Sequence, residues 1–300
     1  MRFSVILGGL LSLLATGVEA APRLDHHARV PSQNVEPRDI TVWVPDACQG
    51  VIRCSVLYMM DGQNVFTLSP YSGADWGVAD ALPKLMAEHK VPPTIVVAVD
   101  NIEARTREYM PQRVYDLMPT DYQARIRAFE GDQPPNSDAF LKFLVTELKP
   151  FIDKTYPTVT GPEGTVIMGS SMGGHIALYA QGEYPDVFGA SASLSMPWLM
   201  AGWAKDAAGV AADRRTVTEG WRAWLASSRL QAGRNRIYTD QGTLGLDDEF
   251  TPYMEGVTTM FLNRGWDAVH FQSRVFPGTK HSEKDWRKRI AIPLVFVLNR

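Results

Sequence analysis

The sequence predicts an α/β domain with a mostly parallel central sheet flanked by helices. Short apolar runs rich in β-branched residues alternate along the chain with stretches of helical period. One run, Thr94-Ile95-Val96-Val97-Ala98-Val99, has no charged interruption, as a strand buried on both faces requires. Another, Thr165–Met168, passes through a glycine-rich turn directly into a helix-like stretch. The 300 residues are 45% hydrophobic and 21% charged, sufficient for one large core or two small ones. The formal net charge is −3 and no basic run is present, which argues against nucleic acid as a partner.

Residues 1–20 read as a secretory signal. Arg2 supplies the positive start, Val5 to Ala15 is nearly all apolar, and Val18-Glu19-Ala20 fits cleavage after Ala20. The apolar stretch is too short to span a bilayer, and no later stretch is long enough. The mature chain is therefore expected to be exported, periplasmic or secreted, with no stable membrane insertion. Residues 21–38 show no period and read as a flexible lead-in, with His26-His27 on a solvated tail.

The domain proper is expected over 39–300. Ile40–Val44 and Cys54–Met59 read as its first strands. Cys48 and Cys54 flank the turn-like pair Gln49-Gly50 between them, and an exported chain favours a disulfide there, stapling a hairpin. A helix follows over Trp76–Glu88, then the strand at 94–99. Asn136 is placed to cap a helix carrying Leu141, Leu144, Leu148 and Phe151 at helical spacing. Strands are expected at 165–168 and at Phe188–Leu194. Residues 197–233 hold Trp198, Trp203, Trp221 and Trp224, and are expected to form a helical cap-like insertion. Trp221 and Trp224 are expected to wall a ligand pocket. The sheet resumes at Arg236–Thr239. A helix starts at Thr251-Pro252 and stops at Gly265, the last strand covers Ala268–Phe276, and Ser282 caps a final helix.

The chemistry centres on Gly169-Ser170-Ser171-Met172-Gly173. Strand, sharp turn, then helix is the setting of a nucleophile elbow, in which small flanks give room for a strained serine. The N–H of Met172 would then face a developing oxyanion. A serine hydroxyl needs a base, and the base needs an acid to orient it. Of the histidines after Ser171, His175 lies in the elbow helix and His270 in a strand. His281 alone lies in a loop after a strand, late enough for an acid to precede it. The loop after strand 236–239 offers Asp240, Asp247, Asp248 and Glu249. Asp247 is the first choice, with Asp248 and Asp240 as alternatives, Asp240 being placed to brace the loop. The second oxyanion donor is assigned to the N–H of Gln63, in the loop after the second strand. Arg105, Arg107 and Glu108 read as a structural ion-pair cluster more than as a substrate site. No metal or organic cofactor is implied, since no metal-binding motif is present.

The chain resembles the putative-esterase family of α/β-hydrolases, which includes esterase D-type, feruloyl, acetyl-xylan and siderophore esterases. The matching pieces are Leu57–Phe66, Asn101-Ile102 through Arg105–Tyr109, Gly169–Gly174, Tyr184–Gly189, Asp240–Thr243, and Pro277–Glu283 with Trp286. The resemblance implies an α/β-hydrolase fold, a nucleophile at Ser171 and a histidine at His281. Many relatives carry an acid where this chain has Gly245; Leu246-Asp247 resembles others, and a Ser–His dyad also occurs in the family. The expected activity is hydrolysis of a small-molecule carboxylic ester of siderophore, feruloyl or acetyl type. An acyltransferase using the same residues, or a binding protein on the same fold, are the alternatives.

Overall fold

The computed structural model describes residues 21–50, 52–129, 132–200, 204 and 206–299. The signal sequence expected over 1–20, and Trp203, lie outside them. Among the described residues, eight strands form one sheet in the order β1-β2-β4-β3-β5-β6-β7-β8. They are β1 (Arg23–Val30), β2 (Arg38–Val44), β3 (Ser55–Met60), β4 (Thr94–Val99), β5 (Thr165–Ser170), β6 (Ala190–Leu194), β7 (Arg236–Leu244) and β8 (Phe271–Lys280). From β4 to β8 all pairings are parallel; β1–β2 and β2–β4 are antiparallel. The central strands β4, β5 and β6 are buried at every position, which explains their unbroken small and apolar sequences.

The helices are α1 (Val78–Ala87), α2 (Arg105–Tyr109), α3 (Gln112–Asp116), α4 (Thr120–Phe129), α5 (Ser137–Phe143), α6 (Lys149–Thr155), α7 (Met172–Glu183), α8 (Ala207–Ser227), α9 (Thr251–Asn263), α10 (Glu283–Arg289) and α11 (Ala291–Leu298). A π-helical stretch at Leu144–Leu148 joins α5 to α6 in one run. Two apolar clusters cover the sheet. One brings in α5 to α9; the other is built from α1, α10 and α11.

Four expectations change here. The lead-in is not flexible throughout: residues 23–30 form β1, paired with β2 and broken by a bulge between His27 and Val30. No residue of β1 is buried, so no core selects an alternating pattern, and the strand leaves no periodic trace in the sequence. His27 bonds the Tyr156 hydroxyl at 2.7 Å rather than trailing in solvent. Cys48 and Cys54 form a disulfide, but it does not staple a hairpin. β4 inserts between β2 and β3, so the bridge spans a connection that skips over a strand.

The third change concerns residues 197–233. α8 packs on the main core rather than forming a separate cap: Trp198, Val217, Trp221, Trp224 and Leu225 join the same cluster as α7. The last is the final strand, which starts at Phe271. His270 precedes it in a turn, bonded to Asp267 at 2.7 Å.

Candidate active site

The site forms where the parallel strands end. β5 finishes at Ser170, and α7 begins at Met172, so Ser171 alone makes the corner. Its φ of 53° and ψ of −130° lie in a region L-residues rarely occupy. The corner is tight: a Cβ on Gly169 would come within 2.3 Å of the Gly173 carbonyl oxygen, so only glycine closes this turn. Met172 opens α7 and Gln63 lies in a one-turn 3-10 helix, Gly62–Asn64, positions where backbone N–H groups have no carbonyl of their own helix to reach. These are the two N–H groups the sequence assigned to an oxyanion.

His281 follows the last residue of β8 directly. Its Nδ1 lies 2.7 Å from Asp247 Oδ1. Burial alone would raise the Asp247 carboxyl. Hydrogen bonds from His281, the Ser195 hydroxyl and the Gly242 N–H outweigh that and hold it below its ordinary value. An ionised carboxylate only accepts, so Nδ1 carries a hydrogen and, in the neutral ring, Nε2 is the nitrogen with a lone pair. Asp247 enters because Gly242 has no side chain: a Cβ there would sit 2.8 Å from Asp247 Oδ2. Asp247 is fully buried, whereas Asp248 faces solvent. Asp240 turns to the buried Arg289, which binds both its oxygens at 2.8 and 3.0 Å. Burial pushes the Asp240 carboxyl up and the guanidinium opposes it.

Ser171 and His281 line one cavity of about 450 Å³. Its walls include Gln63, Asn101, Arg105, Trp76 and Trp286, with the exposed Tyr71 at its rim. Larger cavities of about 640 and 590 Å³ lie elsewhere and are lined by no serine or cysteine. Arg105 grips Asp61 through two bonds of 2.7 and 2.8 Å. Asn101 donates its N–H to the Gln63 side chain, which braces the loop carrying the Gln63 amide. Glu108 pairs instead with the buried Arg38, and Arg107 donates to the Pro134 carbonyl. The expected ion-pair cluster is thus three separate contacts.

Trp221 and Trp224 do not line this cavity. Both are fully buried; Trp221 donates to the Trp198 carbonyl and Trp224 to Glu183. Their spacing on α8 turns them toward α7, where they meet His175 and Tyr179. The walls come from Trp76 and Trp286, stacked at 5.3 Å. Trp286 and Asn101 belong to the family resemblance; Trp76 and Tyr71 carry no functional signal in the sequence. Asn101 stands just past the end of β4, and position at a strand end was the signal available.

The family described as Putative esterase matches residues 34–295, and the chain belongs to it. Among curated proteins, YjcH of Bacillus subtilis (strain 168), described as uncharacterized, is 22% identical over 156 residues, 51% of this chain and 53% of that one. Among solved structures, the enterobactin esterase of Shigella flexneri superposes with a TM-score of 0.62 at 18% identity, covering 94% of this chain and 60% of that chain. A ferulic acid esterase gives 0.60 at 18%, covering 93% and 98%. A feruloyl esterase module from Clostridium thermocellum gives 0.59 at 15%, covering 93% and 88%. The chain thus spans little more than half the length of YjcH and of the enterobactin esterase. These likenesses identify the fold as that of α/β-hydrolases.

Proposed function

We propose that the protein is an exported serine carboxylic-ester hydrolase working through an acyl-enzyme on Ser171. One observation carries the reading: a strained serine at a strand–helix corner shares a cavity with a histidine whose far nitrogen is held by a buried carboxylate. His281 Nε2 takes the Ser171 hydroxyl proton as Oγ attacks the acyl carbon. The N–H groups of Met172 and Gln63 stabilise the tetrahedral oxyanion. His281 then returns the proton to the leaving alcohol oxygen as the acyl bond breaks. Water, deprotonated by the same nitrogen, releases the acid. Asp247 stabilises the transient imidazolium.

The Cys48–Cys54 disulfide supports an oxidising compartment, and with it export. Among the described residues no helix is long and apolar enough to cross a membrane. The substrate reading rests on the neighbours' names: small esters of the feruloyl or enterobactin type, with acetyl esters beside them. Ser171→Ala is expected to lower kcat by about four decades or more at unchanged melting temperature. It should also abolish labelling by a fluorophosphonate probe. Retention of most activity would remove the nucleophile and with it the mechanism. Product analysis with and without an added alcohol acceptor separates hydrolysis from acyl transfer.

A further inference from the structure

Ser195, the residue after β6, joins Ser171 and Asp61 as a non-glycine residue held at positive φ beside this site, at 46°, and it is fully buried. Its hydroxyl meets three partners. Trp286 Nε1 lies at 2.9 Å, Arg289 Nη2 at 3.0 Å and Asp247 Oδ2 at 2.6 Å. The indole and guanidinium nitrogens only donate, so they occupy the two lone pairs of the Ser195 oxygen. The single hydroxyl proton is left to one acceptor, Asp247. Its direction is therefore forced.

Arg289 is itself fixed. Both oxygens of Asp240 accept from it, and Thr279 Oγ1 accepts its third nitrogen at 3.2 Å. The Ser195 N–H donates to the Asp240 carbonyl at 2.8 Å and to its carboxylate at 3.1 Å. Asp240, first read as a candidate acid, thus sits one step behind the acid. Its charge balances that of Arg289, so the guanidinium polarises the Ser195 hydroxyl without adding net charge beside Asp247.

We propose, resting on the esterase reading above, that Ser195 is a positioning residue for Asp247. With its proton forced outward by Trp286 and Arg289, it locks one carboxylate oxygen so that the other stays aimed at His281. It also draws electron density from the carboxylate and so weakens its hold on the imidazole proton. The other charges near the pair are Asp248 and Glu249 on its own turn, Lys280 at the end of β8, Glu283, Asp285 and Arg289 on α10, Asp240 on β7, and Asp61 with Arg105 at the cavity. Replacing Ser195 leaves all of them in place.

The test titrates His281 by NMR in the Ser171→Ala protein, with the signal assigned by its loss in His281→Gln. No substrate enters this measurement, so it reads the proposal even if no ester is turned over. Absence of any esterase activity would instead sink the functional reading alone. Ser195→Ala is expected to raise the His281 midpoint by about one pH unit, the size of a lost hydrogen bond to a charged group. With Ser171 restored, the acid limb of kcat/KM should move up equally, and kcat should fall while KM holds. If Ser195→Ala does not fold, Ser195→Cys, a poorer donor of similar size, is expected to shift the midpoint in the same direction by less. A folded variant with an unmoved midpoint overturns the proposal, since a purely structural role would alter melting temperature and leave the titration alone.

Discussion

His281 and His175 each stand against a tryptophan ring, at centroid distances of 5.1 Å to Trp286 and 5.9 Å to Trp221. Both follow Ser171 in the chain, and the two tryptophans are both buried. The difference lies in what reaches the imidazole. His281 opens onto the cavity on one side and bonds a carboxylate on the other. His175 is enclosed, bonds the Pro197 carbonyl at 2.8 Å, and leaves Nδ1 without a hydrogen-bond partner. Burial pushes its pKa down to about 4, against the smaller opposing effect of that hydrogen bond. The same pair of side chains forms a cavity wall with a carboxylate partner at a strand end and a neutral packing unit one helical turn into α7. Aromatic density therefore does not locate a site; access and a fixed carboxylate do.

The sharpest way to break this contrast is Asp247→Asn. Two donors, Ser195 and Gly242, point at Oδ2, so the amide oxygen of an asparagine would take that side. Its NH₂ group would face His281 Nδ1 and force the hydrogen onto Nε2, the wrong tautomer for a base. We expect kcat to fall by up to about four decades while the fold survives. A loss within about tenfold would make the pair a Ser171–His281 dyad and remove the main difference between the two histidines.

The other cluster should respond in stability rather than rate. Trp221→Ala or Trp224→Ala is expected to cost about 3–5 kcal/mol of unfolding free energy, measured by denaturant titration, with KM nearly unchanged. A raised KM at constant stability would return these side chains to a pocket wall.

His175 should also appear in the pH dependence of stability. Unfolded histidine binds a proton near pH 6.5, but the buried ring resists it until about pH 4. Stability is therefore present above 6.5 and is lost as pH falls through that window. The loss reaches about 3 kcal/mol, and His175→Gln should abolish it. Overlapping curves for the two proteins would place His175 in contact with water. The smallest effect belongs to the disulfide, whose cysteines are buried in the same core cluster as Trp221 and Trp224 but line no part of the cavity that holds Ser171. Cys48→Ala with Cys54→Ala should cost about 2 kcal/mol and leave activity intact. Alkylation followed by intact-mass analysis shows whether the bond is present at all.

By itself the sequence determined the features written in contiguous residues. The corner at Ser171 follows from two glycines and the strand and helix around them, and the place of His281 follows from the strand before it and the helix capped by Ser282. Backbone strain, capping and burial period act over a few residues, so they leave a local trace. The tertiary structure decided what depends on strand order. β4 inserts between β2 and β3, which turned the expected hairpin into a crossing connection and placed Asn101 beside Asp61. Among the four acids read in one loop, Asp247 reaches His281 because Gly242 leaves room and Ser195 arrives from β6 to meet it. Trp76 and Trp286 stack on each other in the cavity wall from positions 210 residues apart, while Trp221 and Trp224 turned inward. Such meetings come from the packing of whole elements, and no short stretch of sequence carries the energy that selects them.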